Sequence, residues 1–270
     1  MISSCSHPVF DGDRAFRYLS QQVAFGYRIP GSQASRETSI FIQKILDENG
    51  WSVDFQEFVF EGVVLRNIVA YKNKSNPEII IGTHYDTRQI SDQELDVTNQ
   101  IIPVLGANDG ASGTAVLLEL SHHLVTNSRN IWLVFFDGED QGRINNWPWS
   151  IGAEYFATNL ENHPEKVLIV DMVGDKDLKV FKEKNSSKEI SDDIWSAANQ
   201  AGYGDSFINQ YKYSLIDDHL PFINRGIPAA LLIDFDYPFW HTNSDVLENV
   251  SSDSLKIVGE VLIKWLEPSN

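Results

Sequence analysis

The sequence predicts an α/β fold, a three-layer sandwich in which helices cover both faces of a mixed, mostly parallel central sheet. Three observations predict it. Four short apolar runs, at 78–82, 131–136, 166–170 and 229–233, have the unbroken hydrophobicity of strands buried on both faces. Helical stretches alternate with them, the order that winds a parallel sheet. Two earlier strands alternate apolar and polar residues at period two, so they belong near a half-exposed edge.

The elements follow in order. Phe16, Leu19 and Val23 recur at helical spacing over 13–25. A second helix spans 34–49, with Ile40, Phe41, Ile45 and Leu46 on its buried face and Gly50 as its stop. Strands at 51–59 and 65–71 come next, then the first buried strand. Helices at 111–124, 150–160, 189–201 and 252–266 separate or follow the remaining buried runs.

Composition narrows the function. The chain has 270 residues, 42% of them hydrophobic, and no linker-like tract, so one domain over 1–270 is expected, with about 1–10 flexible. A formal net charge of −17 repels phosphate backbones and anionic membranes, which argues against a nucleic-acid partner. No run of about 18 apolar residues is present, so no transmembrane helix is expected. The lone Cys5 cannot form an internal disulfide. It has the look of the lipidated residue of a trimmed signal, although a flexible, unimportant terminus is the simpler reading.

Each buried run leads directly into ionisable residues: His84 and Asp86, then Asp137, Glu139 and Asp140, then Asp171, and finally Trp240 and His241. Sheets of this kind bind ligands beyond the carboxyl ends of their strands. Together with Asp109, these oxygen and nitrogen donors suit a zinc site. One strand-end acid is more often a cap or loop residue. Five such positions at one sheet edge are the stronger signal. Adjacent Glu139 and Asp140 can divide the work, one ligating and the other carrying protons.

At this point the chain resembles the zinc-dependent M28 family, and within it the glutaminyl-peptide cyclotransferases of bacterial, animal-like type. The resemblance rests on Gln22-Val-Ala-Phe-Gly-Tyr-Arg-Ile-Pro-Gly31, Gly82-Thr-His-Tyr-Asp-Thr87, Gly106-Ala-Asn-Asp-Gly-Ala-Ser-Gly113 and Phe135-Phe-Asp-Gly-Glu-Asp140. It continues in Trp149-Ser-Ile-Gly-Ala153, Val170-Asp-Met-Val-Gly174, Asp217-Asp-His-Leu-Pro-Phe222 and Trp240-His-Thr242. It implies Asp109, Asp140 and His241 as ligands of one Zn2+, Glu139 as general acid and base, and Asp171 and Asp217 as acids beside it. Trp240 is implied as a pocket wall, with Trp147 or Trp149 as a second aromatic wall and Tyr237 as a further candidate. Animal relatives usually carry Glu where this chain has Asp140, and that shorter arm would shift the metal toward its strand.

The implied reaction closes an N-terminal glutamine of a peptide or protein into pyroglutamate with loss of ammonia. The rival reading is a two-zinc aminopeptidase of the same family, in which His84 and Asp171 hold a second metal and Asp109 bridges. Asp217 in place of the usual Ser, and Trp240 in place of the usual Tyr, favour the cyclase. A metal-free binding protein is the minor alternative. The resemblance also implies an exported protein, and a monomer is expected.

Other residues carry less. His122 and His123 read as surface helix polarity, His7 and His163 as exposed, and His219 as a brace for the Asp217 loop. Arg88 and Arg143 read by default as salt-bridge partners of an acidic surface. Tyr85 is expected to pack away from the site, and Phe235 and Phe239 belong to the loop before Trp240.

Overall fold

The computed structural model describes residues 9–124 and 129–267. Seven α-helices, α1 to α7, and eight strands, β1 to β8, are present among them. Helices α1 (Gly12–Ala24) and α2 (Gln33–Glu48) lead, capped by the side chains of Asp11 and Ser32. Strands β1 (Ser52–Phe60) and β2 (Val63–Tyr71) form an antiparallel hairpin. Then come β3 (Ile79–His84), α3 (Ala111–Leu120), β4 (Ile131–Phe136), α4 (Ile151–Thr158) and β5 (Lys166–Asp171). The chain closes with β6 (Val180–Lys182), α5 (Lys188–Ala201), β7 (Phe207–Tyr211), α6 (Leu220–Ile223), β8 (Ala229–Ile233) and α7 (Ser252–Leu266).

The six-stranded sheet has the order β1-β2-β4-β3-β5-β8. Pairs β4·β3, β3·β5 and β5·β8 are parallel, whereas β1·β2 and β2·β4 are antiparallel. The alternating hairpin therefore forms the edge, as its period-two pattern predicts. One face packs against α1, α2, α3, α5 and α7 around Leu19, Ile42, Leu117, Trp195 and Leu262. The other packs against α4 and α6 around Phe136, Phe156, Ile169 and Phe222. Successive connections leave β3 and β4 for opposite faces, and the crevice at such a switch point is where α/β sheets bind ligands.

Several expectations need correction. Ile40 is 56% exposed; Ile42 takes the buried position of α2 together with Ile45 and Leu46. Phe10, at the end of the segment expected to be flexible, is buried and stacks on His123. Helix α3 stops at Leu120 rather than 124. The parallel pair β6·β7 and the single-turn α6 had no counterpart in the sequence reading. Elements of three to five residues are too short for a periodic pattern to register. Cys5 and His7 lie outside the described residues. Among those described, no helix is long and apolar enough to cross a membrane.

Candidate metal centre and active site

The parallel strands end at one edge and deliver their polar residues there. His84 closes β3, Glu139 and Asp140 follow β4, Asp171 closes β5, and His241 lies in the loop beyond β8. Asp109 arrives from the loop ahead of α3, where Gly110 has φ of 88° and a Cβ there would meet the Asp86 carbonyl oxygen at 2.5 Å. Only glycine lets that loop lie so close to β3.

Two triads result, and they share one residue. His84 Nε2 stands 3.0 Å from Asp171 Oδ1 and 3.1 Å from Asp109 Oδ1. His241 Nε2 stands 3.0 Å from Asp140 Oδ1 and 3.7 Å from Asp109 Oδ2. Within each triad the donor atoms lie within 4.8 Å of one another, close enough for a common cation. Asp109 thus turns one oxygen to each triad.

The electrostatics call for positive charge. Buried Asp140 has an Oδ2 with no hydrogen-bond donor, and its Oδ1 faces only His241 Nε2 at 3.0 Å and Arg88 at 3.6 Å; an orphaned acceptor in a native fold requires an explanation. Burial and the nearby Asp109 push Asp140 up to about 6. Asp171 is raised by burial and, further down, by Asp109. Burial opposes charge on His241, yet Asp140, Asp92 and Asp109 outweigh it and hold the imidazole at about 9. The same contest leaves His84 well above its ordinary value and Asp109 below its own. These side chains recruit protons where a metal ion would neutralise them better. The donor set therefore fits a divalent cation.

Glu139 is buried beside this cluster. Desolvation, reinforced by Asp217, Asp218 and Asp140, drives its carboxyl well above the ordinary range. Asp217 is raised by burial, Asp171 and Asp218, and Asp218 is pushed up to about 7. The rings of Trp240 and Trp149 both stack on His241, with centroids at 3.8 and 6.0 Å.

The remaining expected residues divide clearly. Trp147 packs edge-on against Phe60 in a separate outer cluster, so Trp149 is the ring beside His241. Tyr237 is buried under its loop and donates its hydroxyl to Asp245 at 2.9 Å. Asp86 belongs to neither triad: its Oδ1 lies 3.5 Å from His84 Nδ1, on the far side of that ring from Asp109 and Asp171, and its carboxylate accepts the backbone N–H groups of Glu139 (3.0 Å) and Asp140 (3.2 Å). Tyr85 packs in the core and donates to the Arg66 carbonyl. His122 and His123 are not solvated polarity. His122 meets the Tyr18 hydroxyl of α1, and His123 meets Glu119 within its own turn, where Glu119 also holds Arg14 of α1. His219 Nε2 lies 3.3 Å from Glu183, which also accepts the backbone N–H of Leu215 and so steadies the Asp217 loop. Arg88 is buried and paired with Asp92, whereas Arg143 and His163 are exposed.

Four supporting residues escaped the sequence reading. Asp92 sits 3.0 Å from His241 Nδ1 and orients that ring. Asp245 accepts the backbone N–H groups of Asn108 (2.7 Å) and Asp109 (3.1 Å). Glu183 anchors the Asp217 loop. Arg28, fully buried, donates to the carbonyls of Tyr85, Leu105 and Gly106, which explains the arginine of the amino-terminal motif. For Asp92 and Glu183 no local pattern existed to find.

Comparison with known proteins agrees with this arrangement. The model of peptidase family M28 matches residues 67–266. The chain belongs to that family. Its fold superposes on a Zn-dependent exopeptidase from Parabacteroides distasonis with a TM-score of 0.91, at 30% identity, over 97% of this chain and 99% of the other. It superposes equally well on a glutaminyl cyclase from Bacteroides thetaiotaomicron, with a TM-score of 0.90 and 30% identity over 98% of this chain and 100% of the other. The glutaminyl-peptide cyclotransferase of Boiga irregularis is 24% identical over 87% of this chain and 75% of its own length. This M28 protein is thus similar to cyclases and exopeptidases alike.

Proposed function

We propose that this M28 protein is a zinc-dependent glutaminyl-peptide cyclotransferase acting on peptides and proteins with a free amino-terminal glutamine, outside the cytoplasm. The observation that carries the reading is the run of buried acids at Glu139: Asp217 raises Glu139 and Asp171 raises Asp217, beside a His241 ring on which two tryptophans stack.

The chemistry follows from those residues. The substrate's α-amine attacks its own side-chain carboxamide carbon, the new C–N bond closes a five-membered lactam, and the old one breaks to release ammonia. Such an amine has a pKa of about 7.7–8.0, so a sizeable fraction is uncharged near neutral pH. Glu139 takes the proton that the amine loses on attack and returns it to the departing nitrogen. Its raised pKa suits that exchange. Asp171 and Asp217 hold the proton on Glu139 between the two transfers. Trp240 and Trp149 bound the space in which the side chain curls back on the amine, a proximity effect. Asp109, Asp140 and His241 would hold the zinc ion, which when bound would supply Lewis-acid polarisation of the carboxamide.

A second reading has its own support. The His84, Asp109, Asp171 triad shares Asp109 with the first, which is the ligand arrangement of a two-metal aminopeptidase. One Gln-initiated and one Leu-initiated peptide, each with and without chelator, separate the two. Ammonia release with an intact chain supports the cyclase, and free leucine supports the aminopeptidase. Glu139→Gln should lower turnover by about 10²–10⁴-fold while metal content stays near normal. Full activity in that variant would remove Glu139 from the mechanism.

A further inference from the structure

Beside the carboxylate cluster lies an open groove of about 540 Å³ that the reaction as described leaves unused. It begins at Trp149 and Asp217 and runs outward between the tip of the β1–β2 hairpin, α4 and α6. Phe58 and Tyr155 stack along it at 4.1 Å. Val59 and Ile216 line it while 68% and 62% exposed, two large aliphatic side chains left facing water. No lysine or arginine contributes to the lining; of its two acids, Asp217 is raised by burial and Glu154 is paired with Arg225 at 2.6 Å. Apolar lining with few polar groups, in a volume of this size, is typical of a ligand site.

We infer that this groove receives the second and third residues of the peptide substrate and selects chains in which those residues are apolar. The inference rests on reading the adjoining site as one that takes a peptide amino terminus. Continuity supplies the argument: Trp149 stacks on His241 and also lines the groove, and Asp217, whose charge bears on Glu139, lines its near end. A chain whose first residue sits beside Glu139 leaves past these two side chains. Its next side chains then cover Val59 and Ile216.

Binding on the full-length Glu139→Gln protein tests this without turnover. Isothermal titration compares Gln-Phe-Phe-amide with Gln-Gly-Gly-amide, and Leu-Phe-Phe-amide with Leu-Gly-Gly-amide. The Phe peptides should bind about tenfold tighter or more, the expected return on burying one or two aromatic side chains. Adding Val59→Asp, at an exposed hairpin position, should erase most of that advantage and leave the Gly peptides unchanged. Equal affinity of Phe and Gly peptides overturns the inference, as does a Phe advantage that survives Val59→Asp or failure of all four to bind. A Phe preference confined to the Leu-initiated pair overturns the cyclase reading and leaves the groove assignment standing.

Discussion

Asp86→Asn tests the idea that Asp86 braces the backbone of Glu139 and Asp140 rather than holding a metal. The buried carboxylate accepts the N–H groups of Glu139 and Asp140 at 3.0 and 3.2 Å and the Gln141 side-chain amide at 3.2 Å. An asparagine there has one acceptor oxygen and turns its own donors toward another N–H. One charge-assisted bond becomes neutral, losing about 1 kcal/mol, and one buried donor is left unpaired at about 1–3 kcal/mol. Removing the charge relieves Asp137 and Asp218, which Asp86 pushes upward, but also withdraws support from buried His84 and Arg28, so only part of the loss is recovered. A net cost of about 2–3 kcal/mol remains, which lowers the melting temperature by about 4–12 °C for a chain of this size. Because Asp140 moves with its backbone, zinc affinity should fall about 10–100-fold. Differential scanning fluorimetry and a competitive zinc titration read the two effects. A variant that melts within about 1 °C of the parent and binds zinc equally well would refute the bracing role.

Other consequences can be checked on the same preparations. Chelation should lower the melting temperature and restored zinc should recover it, since a ligand at about 100 times its Kd stabilises by about 2.7 kcal/mol; an unchanged melting curve would count against a resident metal. Gly113→Ala drives a Cβ into the Thr83 hydroxyl and the Val170 carbonyl, so a loss of about 1–3 kcal/mol is expected by urea unfolding. Burial alone would raise Glu119, but bonds from Arg14, His123 and the Asp11 N–H hold it at about 2. Its folded value lies below its unfolded one, so its contribution is complete above about pH 4.5 and disappears as the pH falls toward about 2. Glu119→Gln should therefore flatten the acid limb of the stability profile, and an unchanged limb would show that other carboxylates dominate it.

The sheet and the identity of its donors were legible locally. Apolar runs such as Ile131–Phe136 and Lys166–Asp171 can be satisfied only by burial on both faces, so each reports its own environment. The acids and histidines that follow these runs occupy strand ends whatever the rest of the chain does. Even the choice between Trp147 and Trp149 stayed open at that level, because neighbours two apart share one composition and differ only in where the loop turns them.

Convergence is a different kind of fact. Asp92 meets His241 across 149 residues and Asp245 meets Asp109 across 136, and a carboxylate on a loop looks the same in sequence whether it orients a ligand or faces water. The division of Asp109 between two triads, the rotation of Asp86 toward the backbone of Glu139, and the groove beside Trp149 all depend on packing between distant segments. Local pattern encodes which side chains want to be buried. Which buried side chains meet is a property of the assembled sheet, because the crossings of β3, β4 and β5 set those distances.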